Sequence, residues 1–490
     1  MTSLAHTLAA YRAHTVGWDD LCREAAGITD GLDKAQGAVY TPAWVVERLI
    51  DGIGVCPDDV VLEPSCGRAA FLVPLLERVR GTMDAPTLLR WANTHLVALD
   101  IDAAAIADAK LVLSAWFGRT FEADLPTEAF TFLRCCDALA WKPEAGGPMP
   151  TVVVGNPPYV RFQNLDPALR ASLAAKFTSC SSGNVDLYYA FVEQALAWAP
   201  RTAFVVPHGF LTTRSGRALR ALMDGSVLRI DDHGAERVFP GVGTYVALVF
   251  LHHGQGAEGQ PVHHIPSGRI APFAVDLPKP AAVRRCAPGV ATLCDAAFRV
   301  TRQPDGRFVA DMTGMELEPI FVRPLVKITT IHRHDTSAWT SFIVHPYDAH
   351  GKPVDEATLR ARAPNTWAHL TAVRTKLDAR DKGEVADYPT WFAYGRSQGL
   401  APTTGAQALV VPAMVGGACL PRLLDLRPLL AFGRPVFSSG YVVDTPSAAD
   451  IDALLSPGFL DAAADVGNPR PGKDGTYYSL ASSLVKTYQA

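Results

Sequence analysis

Short apolar runs alternate with amphipathic stretches of helical length between residues 36 and 254, a pattern typical of an α/β sheet with crossover helices. The runs that predict strands are Val60–Leu62, Leu96–Leu99, Thr151–Val154, Ala203–Val206, Val227–Ile230 and Tyr245–Leu251. Because only a short loop joins the last two runs, we expect them to form an antiparallel closing pair rather than another crossover.

The segments on either side have different patterns. Residues 1–35 predict a helical segment, since apolar side chains recur there at roughly helical spacing. Residues 254–290 are rich in glycine and proline, which is typical of a linker or a loop-rich domain entry. One helix is predicted further on, at about 354–380. We therefore divide the chain into a helical segment 1–35, an α/β domain 36–260 and an α+β domain 261–490.

Composition and charge restrict the class of protein. Of the 490 residues, 48% are hydrophobic and 19% charged, which is ordinary for a soluble globular protein. No apolar run approaches the ~18 residues of a membrane span, and nine cysteines without a Cys-x-x-Cys pair argue against disulfides and zinc. The first 250 residues carry 21 Lys and Arg against 27 Asp and Glu, and the remainder 24 against 22. The second half is therefore the better candidate for a surface that binds a polyanion.

A proline-rich motif, GNPPY, occupies residues 155–159 directly after the predicted strand Thr151–Val154. Ligands bind α/β sheets at the carboxyl ends of the strands, so this motif lies where chemistry can occur. The prolines fix the backbone and lack N–H groups. The side-chain oxygen of Asn156 and the carbonyl of Pro157 could thus hold both hydrogens of an exocyclic amine and stabilise charge on its nitrogen. Tyr159 offers a ring for base stacking; the alternative is a structural turn.

Acidic residues follow other predicted strands and suit a nucleoside-type cofactor. Glu63 opens a small-residue turn into a helix, as in a nucleoside-binding βα unit, and the turn lacks the Gly-Lys-Ser/Thr of a phosphate loop. Asp100 ends the next strand, where a carboxylate can pair with ribose hydroxyls. Asp137 could accept a hydrogen bond from an adenine amine. Each acid alone could be a solvated side chain, but in this order, with the GNPPY motif, they predict a cofactor pocket.

The order of these motifs resembles that of the γ-type adenine-N6 DNA methyltransferases, the TaqI and Eco57I kind, over about residues 36–252. The resemblance implies a Rossmann-like, S-adenosylmethionine-dependent domain with a mixed seven-stranded sheet and an antiparallel last strand, followed by a DNA target-recognition domain. It implies methyl transfer to an adenine flipped out of double-stranded DNA. It also implies a cytoplasmic bacterial or archaeal enzyme of a restriction-modification system, with a separate restriction endonuclease as a candidate partner and no membrane or metal.

The resemblance also implies roles for individual residues. The segment before the first strand would place Thr41 at the methionine end of the cofactor and Val39 against the flipped base. Phe239 would sandwich that base with Tyr159, although a structural turn also explains this phenylalanine. The catalytic set is Asn156, Pro157, Pro158, Tyr159 and Phe239. The cofactor pocket would be lined by Thr41, Glu63, Pro64, Cys66, Gly67, Asp100, Ile101, Asp137, Ala138, Asn156, Pro158 and Phe191.

Two positions depart from the family pattern. Ala69 stands where many relatives have a second glycine, and alanine can be accommodated only if the backbone there does not need a positive φ. Ala138 stands where some relatives place an aromatic residue after the third acid. Both departures concern details of the cofactor pocket.

The second half is expected to read the DNA sequence. Basic side chains in or beside the helix predicted at 354–380 can contact phosphates, although a solvated helix face explains them equally well. They are Arg360, Arg362, Arg374, Lys376, Arg380 and Lys382. Arg396 and Gln398 are chemically able to read guanine and adenine edges. The recognition set is therefore Arg374, Lys376, Arg396 and Gln398. The histidine pairs at 252–253 and 263–264 lack partners at metal-ligand spacing.

Other amino-methyltransferases share the Asn-Pro-Pro-Tyr motif. Enzymes that methylate glutamine side chains are shorter and lack a recognition domain. Cytosine-N4 enzymes tend to have serine where this chain has Asn156. An RNA target stays open, as does a specificity or modification subunit of a larger defence complex.

Overall fold

The computed structural model describes residues 2–18, 20–21, 41–144, 147–234, 236, 238–239, 244–256, 261–265, 268–276, 284–333, 341–383, 386, 388–466, 468–472, 475–480 and 482–489. The chain divides into two compact units, Met1–Pro278 and Lys279–Ala490. The division falls later than the predicted boundary after residue 260. The predicted helical segment 1–35 belongs to the first unit, and its described helix packs there, since Arg12 donates to Ser114 at 3.1 Å.

The first unit is built on a single mixed sheet. Its strands are β1 (Val61–Glu63), β2 (Leu96–Asp100), β3 (Leu133–Cys135), β4 (Val152–Gly155), β5 (Arg201–Pro207), β6 (Val227–Asp232), β7 (Val246–His252), β8 (Pro261–His264) and β9 (Arg269–Pro272). They lie in the order β3-β2-β1-β4-β5-β7-β6-β8-β9. Strands β1 to β5 are parallel, whereas β7 is antiparallel to both β5 and β6. The predicted α/β class with an antiparallel closing strand is confirmed.

The described sheet has nine strands, not the predicted seven. Strand β8 pairs in parallel with β6, and β9 pairs antiparallel with β8. Both lie in the glycine- and proline-rich segment that predicted a linker. Their sequences, PVHH and RIAP, have four residues each and are too short to show a strand period by themselves. They become strands because β8 pairs with the edge of β6 and β9 pairs in turn with β8.

Helices cover the sheet of the first unit. They are α1 (Thr2–Arg12), α2 (Ala43–Ile53), α3 (Leu72–Arg80), α4 (Ala85–His95), α5 (Ala103–Phe121), α6 (Pro167–Lys176), α7 (Tyr188–Trp198) and α8 (Arg217–Met223). Every residue of β4 is buried, with Val152 and Val154 in the apolar core on one face and Val153 in the core on the other. Burial on both faces fixes the register of β4. The residues that follow it are thereby fixed at the carboxyl edge of the sheet.

The second unit is α+β, as predicted. Its strands are β10 (Ala287–Pro288), β11 (Arg299–Arg302), β12 (Phe308–Ala310), β13 (Glu316–Leu317), β14 (Val322–Lys327), β15 (Ser341–Val344), β16 (Gln407–Pro412), β17 (Met414–Val415), β18 (Arg422–Asp425), β19 (Val436–Ser438), β20 (Gly440–Asp444), β21 (Asn468–Gly472) and β22 (Gly475–Ser479). They form sheets in the orders β13-β12-β11-β15-β14-β19, β10-β20-β16-β18 and β17-β22-β21.

The helices of the second unit are short. They are α9 (Asp295–Phe298), α10 (Glu356–Arg362), α11 (Pro364–Ala372), α12 (Arg374–Asp378), α13 (Arg427–Leu430), α14 (Ala448–Leu455), α15 (Pro457–Val466) and α16 (Ser482–Thr487). The helix predicted at 354–380 is therefore three helices. Ala363 leaves the helical region (φ −147°, ψ 68°) and Pro364 begins the next helix. None of the helices in the described part of the chain is long and apolar enough to cross a bilayer.

Candidate active site

The GNPPY motif is tied to two segments that precede it in the chain. The side-chain amide Nδ2 of Asn156 donates to Thr41 Oγ1 at 3.0 Å, and Ser65 Oγ donates to the backbone carbonyl of Asn156 at 3.0 Å. The first contact fixes the plane of the Asn156 amide, and hence the direction of its oxygen. Thr41 is buried. Thr41 was predicted only as a cofactor contact and Ser65 was not singled out, because the contacts span 115 and 91 positions.

The aromatic residues of the predicted base pocket are neighbours, with rings tilted against each other. Tyr159 OH donates to the Val205 carbonyl at 2.9 Å, and burial raises the pKa of this phenol well above its usual value. The ring of Phe239 lies 6.4 Å from that of Tyr159 at 69°, and Phe239 is only 1% exposed. A base sandwiched between two rings needs faces that are parallel and apart. Phe239 would therefore have to rotate or shift to stack on a base.

The first βα turn brings two acids together. Glu63 is buried, and its Oε2 has no hydrogen-bond partner among the described residues. Burial raises the pKa of Glu63 well above its usual value, and the charge of Asp100 raises it further. Asp100 accepts from the backbone N–H of Gly67 at 2.8 Å and of Asp102 at 2.9 Å. The turn therefore holds a buried acceptor, Glu63 Oε2, that is unsatisfied among the described residues and lies beside a second acid.

The same turn contains an alanine in the left-handed region. Ala69 has φ 74° and is fully buried, and Gly67 has φ 48°. The condition set for Ala69 by the sequence, a backbone without positive φ, is therefore not met. The turn closes with this strain because Ala69 N–H donates to Cys66 O at 3.0 Å and its carbonyl accepts from Leu72 N–H at 3.1 Å.

The third acid lies on an exposed turn above an apolar core. Asp137 Oδ1 accepts from the Leu139 N–H at 2.9 Å, while Ala138 and Leu139 are buried in the same apolar cluster as Phe191. Lys176, on α6, donates to the Leu139 carbonyl. This lysine contact was not predicted. Ile101, after Asp100, is 76% exposed.

A histidine–aspartate cluster at the same edge was also missed. Asp232, at the end of β6, is 3.0 Å from His208 Nδ1 and 2.9 Å from His264 Nδ1. Burial raises the pKa of Asp232, but these hydrogen bonds more than offset it, so the net direction is down. His264 thus belongs to a buried polar network. Among the described residues, no three histidine, cysteine or acidic side chains are grouped to hold a metal ion.

The predicted recognition residues have different surroundings. Arg396 pairs with Asp381 at 2.7 Å and Gln398 donates to Gly289 O at 3.1 Å, so both are engaged within the second unit. Lys376 is exposed. Arg380 cannot contact phosphates, because it is buried and donates to the carbonyls of residues 377, 391 and 393. Val39 lies outside the described residues, as does the side chain of Lys382.

Four side chains of the second unit form an arginine–tryptophan ladder, which we define as Arg360, Trp367, Trp391 and Arg374. The Arg360 guanidinium lies 4.6 Å from the Trp367 ring and that of Arg374 lies 4.7 Å from the Trp391 ring. The two indoles are 5.6 Å apart. Both arginines are exposed, and Arg374 also has Asp378 at 3.5 Å. The ladder presents preorganised guanidinium edges to solvent.

A cavity of about 420 Å³ belongs entirely to the second unit. Its charged lining side chains are Arg323, Asp348, Arg434 and Asp444, and the buried Thr403 Oγ1 has no partner among the described residues. It contains none of the predicted site residues and so is a feature separate from the candidate active site.

Comparison with known proteins finds similarity to one family of methylases. Residues 151–239 match the model of the Eco57I restriction-modification methylases. The chain is 23% identical over 421 residues to the type II methyltransferase M.XhoI of Xanthomonas vasicola, covering 74% of this chain and 75% of that protein. It is 26% identical over 215 residues to M.PaeR7I of Pseudomonas aeruginosa, covering 40% of this chain and 36% of that protein. The predicted resemblance is thereby confirmed.

A solved structure shows the same fold. The type IIL restriction-modification enzyme MmeI, solved in complex with DNA, superposes with a TM-score of 0.59 at 15% identity. The superposition covers 90% of this chain but 65% of MmeI, so the chain spans about two thirds of that enzyme. At this identity the likeness concerns the fold. It extends over both the sheet of the first unit and the α+β second unit.

Proposed function

We propose that this chain is an adenine-N6 DNA methyltransferase of the Eco57I restriction-modification type, with S-adenosylmethionine as methyl donor. The comparisons bear out the coarser statement, a methyltransferase of restriction-modification type. The observation that carries the finer proposal is Asn156, held by Thr41 and Ser65 at the carboxyl end of β4 beside the acidic turn. A separate endonuclease partner is part of the proposal.

The acidic turn fits the proposed cofactor. Glu63 Oε2 is a buried acceptor without a described partner, next to Asp100, and the cationic methionine end of S-adenosylmethionine would satisfy it. Asp100 keeps lone pairs for ribose hydroxyls beyond its two backbone bonds. Asp137 is exposed at the adjoining turn, where it can accept from the adenine amine. When bound, the cofactor supplies an activated methyl group on a sulfonium.

The motif residues position the target. Asn156 Oδ1 and the Pro157 carbonyl accept the two hydrogens of the adenine amine, so that its nitrogen lone pair is directed away from them. Fixed acceptors cost no reorganisation as positive charge develops on that nitrogen, and groups of this kind contribute roughly 10²- to 10³-fold to a rate. Tyr159, whose hydroxyl is anchored to β5, supports the ring of the flipped base. Phe239 closes on the other face after moving from its buried position.

The second unit would bind and read the duplex. We assign phosphate contact to the exposed arginines of the arginine–tryptophan ladder and to Lys376. Arg396 and Gln398 stay candidates for base contact only if binding releases them from Asp381 and Gly289.

The deciding experiment is transfer of a labelled methyl group to DNA and to RNA by the purified chain, followed by nucleoside analysis. N6-methyladenine in DNA supports the proposal. N4-methylcytosine, label in RNA alone, or no label at all would contradict it. Asn156→Ala should lower the single-turnover rate by roughly 10²-fold or more while DNA binding persists. The matched control is Asn365→Ala, an exposed asparagine of the second unit, which should leave the rate unchanged.

A further inference from the structure

Trp44 is an exposed tryptophan that does not take part in packing its own helix against the core. Helix α2 buries Val45, Val46, Leu49, Ile50 and Ile53. Trp44 lies on the opposite, polar face and is 46% exposed. In the described part of the chain it is the only tryptophan or phenylalanine in the exposed class. Burying an indole is strongly favourable, so this exposed ring can contribute to binding if a partner covers it.

The indole lies at the carboxyl edge of the sheet. It belongs to the first turn of α2, three residues after Thr41, whose hydroxyl accepts from Asn156. Its ring is 5.4 Å from the ring of His233, which follows β6 at the same edge. The backbone N–H of His233 donates to Val246 O at 3.1 Å, at the start of β7. The anchors of Trp44 are therefore residues of the candidate active-site edge.

One side of the indole packs against His233, and the remainder faces solvent. His233 is buried and its Nδ1 lies 2.8 Å from Glu236 Oε2, so the imidazole is held in place. A tryptophan supported in this way loses little freedom when a flat partner covers its open side. A nucleobase is such a partner, because base–aromatic stacking needs a π face and no particular hydrogen-bond pattern.

We propose that Trp44 is a base-stacking residue that supports the DNA where the target adenine leaves the duplex. This inference rests on the proposed function. Extrusion removes the stacking partners of the bases next to the target, and that loss opposes flipping. Stacking on Trp44 by a base next to the target, or by the base that the target has left unpaired, restores part of the lost stacking energy. Trp44 is thus a positioning residue for the flipped state and does not touch the methyl group.

The test compares two duplexes, one fully paired at the methylated site and one with an abasic position opposite the target adenine. Trp44→Ala should lower kcat/KM on the paired duplex by about tenfold or more, since stacking on one base is worth that much. Most of the wild-type rate should return on the abasic duplex, because the target there is already unpaired. Trp44→Phe should stay close to wild type on both.

Trp44→Leu separates stacking from packing, because leucine keeps an apolar side chain over His233 without a π face. It should behave like the alanine variant. The control is Leu111→Ala on α5, which removes an apolar side chain of similar exposure (43%). It should leave kcat/KM unchanged on both duplexes. Equal losses on both duplexes, or no loss in Trp44→Ala, would overturn the inference. Wild-type protein that methylates no DNA would instead refute the proposed function.

Discussion

At the scale of single residues, the first βα turn combines backbone strain with a buried hydrogen-bonding atom, Glu63 Oε2, that has no partner among the described residues. Ala69 occupies a left-handed conformation that favours glycine, and Glu63 is a buried acid beside a second acid. Such features persist only where surrounding structure enforces them. Both lie in the turn that we assign to the cofactor, which is the type of place where local rules are broken for function.

Substitution of Ala69 tests the strain. The left-handed region costs an alanine about 1 kcal/mol, but Ala69→Gly also loses a buried methyl worth ~0.8 kcal/mol and gains ~0.5–1 kcal/mol of chain entropy in the unfolded state. These terms nearly cancel, so its free energy of unfolding should stay within about 1 kcal/mol of wild type. Ala69→Val should lose more than about 2 kcal/mol, because a β-branched residue fits neither this φ nor this packing. Denaturant unfolding measures both, and a valine variant as stable as wild type would remove the strain argument.

Glu63 predicts a pH dependence of cofactor binding. Burial and Asp100 raise its pKa, so the free protein keeps Glu63 protonated above the usual range of a carboxyl group. A cationic ligand favours the ionised form and lowers that pKa. Between the pKa of Glu63 in the complex and its higher pKa in the free protein, binding of S-adenosylmethionine releases a proton. Over that pH range the affinity should therefore increase as pH rises. Equilibrium binding across pH checks this, with Glu63→Gln as the reference. The assignment fails if both proteins show the same pH dependence.

At the scale of elements, the pattern of apolar residues was sufficient to predict a strand where both faces of the sheet are covered. Strands β1, β2, β4, β5, β6 and β7 correspond to the predicted apolar runs. The helix predicted at 354–380 was wrong as one element, because the break at Ala363 depends on a backbone conformation that apolar spacing does not encode. Arg380 was wrong as a phosphate contact for a similar reason. Its burial depends on carbonyls of a loop that packs over it.

The arginine–tryptophan ladder gives a prediction for DNA binding. If Arg360 and Arg374 each neutralise a phosphate, replacing both with alanine should reduce the slope of log affinity against log salt by roughly two. The control pair is Arg307→Ala with Arg427→Ala, two exposed arginines of the same unit held by Asp305 and Asp425 at 2.6 Å. Affinity titrations at several salt concentrations measure the slopes. If both pairs reduce the slope equally, the salt dependence reflects the overall charge of the unit and not specific phosphate contacts by the ladder.

At the scale of the whole molecule, the motif order predicted which unit contains the candidate active site and that the site lies at the carboxyl edge of its sheet. It did not predict the contacts between the site residues. Ser65 reaches Asn156 because β1 and β4 are adjacent in the sheet, and Thr41 reaches the same asparagine from just before α2, 115 positions earlier in the chain. A one-dimensional pattern gives neither distance. The tilt between Tyr159 and Phe239 was equally beyond the sequence, since ring orientation depends on packing in the core. The roles of individual residues in the second unit were the least predictable, because recognition depends on exposure rather than on periodicity.

The pairing of β8 with β6, and of β9 with β8, has a practical consequence for anyone who would isolate the first unit. A fragment that stopped at residue 260 would strip the outer edge of β6, leaving unbonded amides and carbonyls ready to recruit another molecule. It would also delete His264 from the Asp232 network. A soluble catalytic fragment of this chain should therefore extend through Asp276, whose carboxylate holds Arg217 of α8.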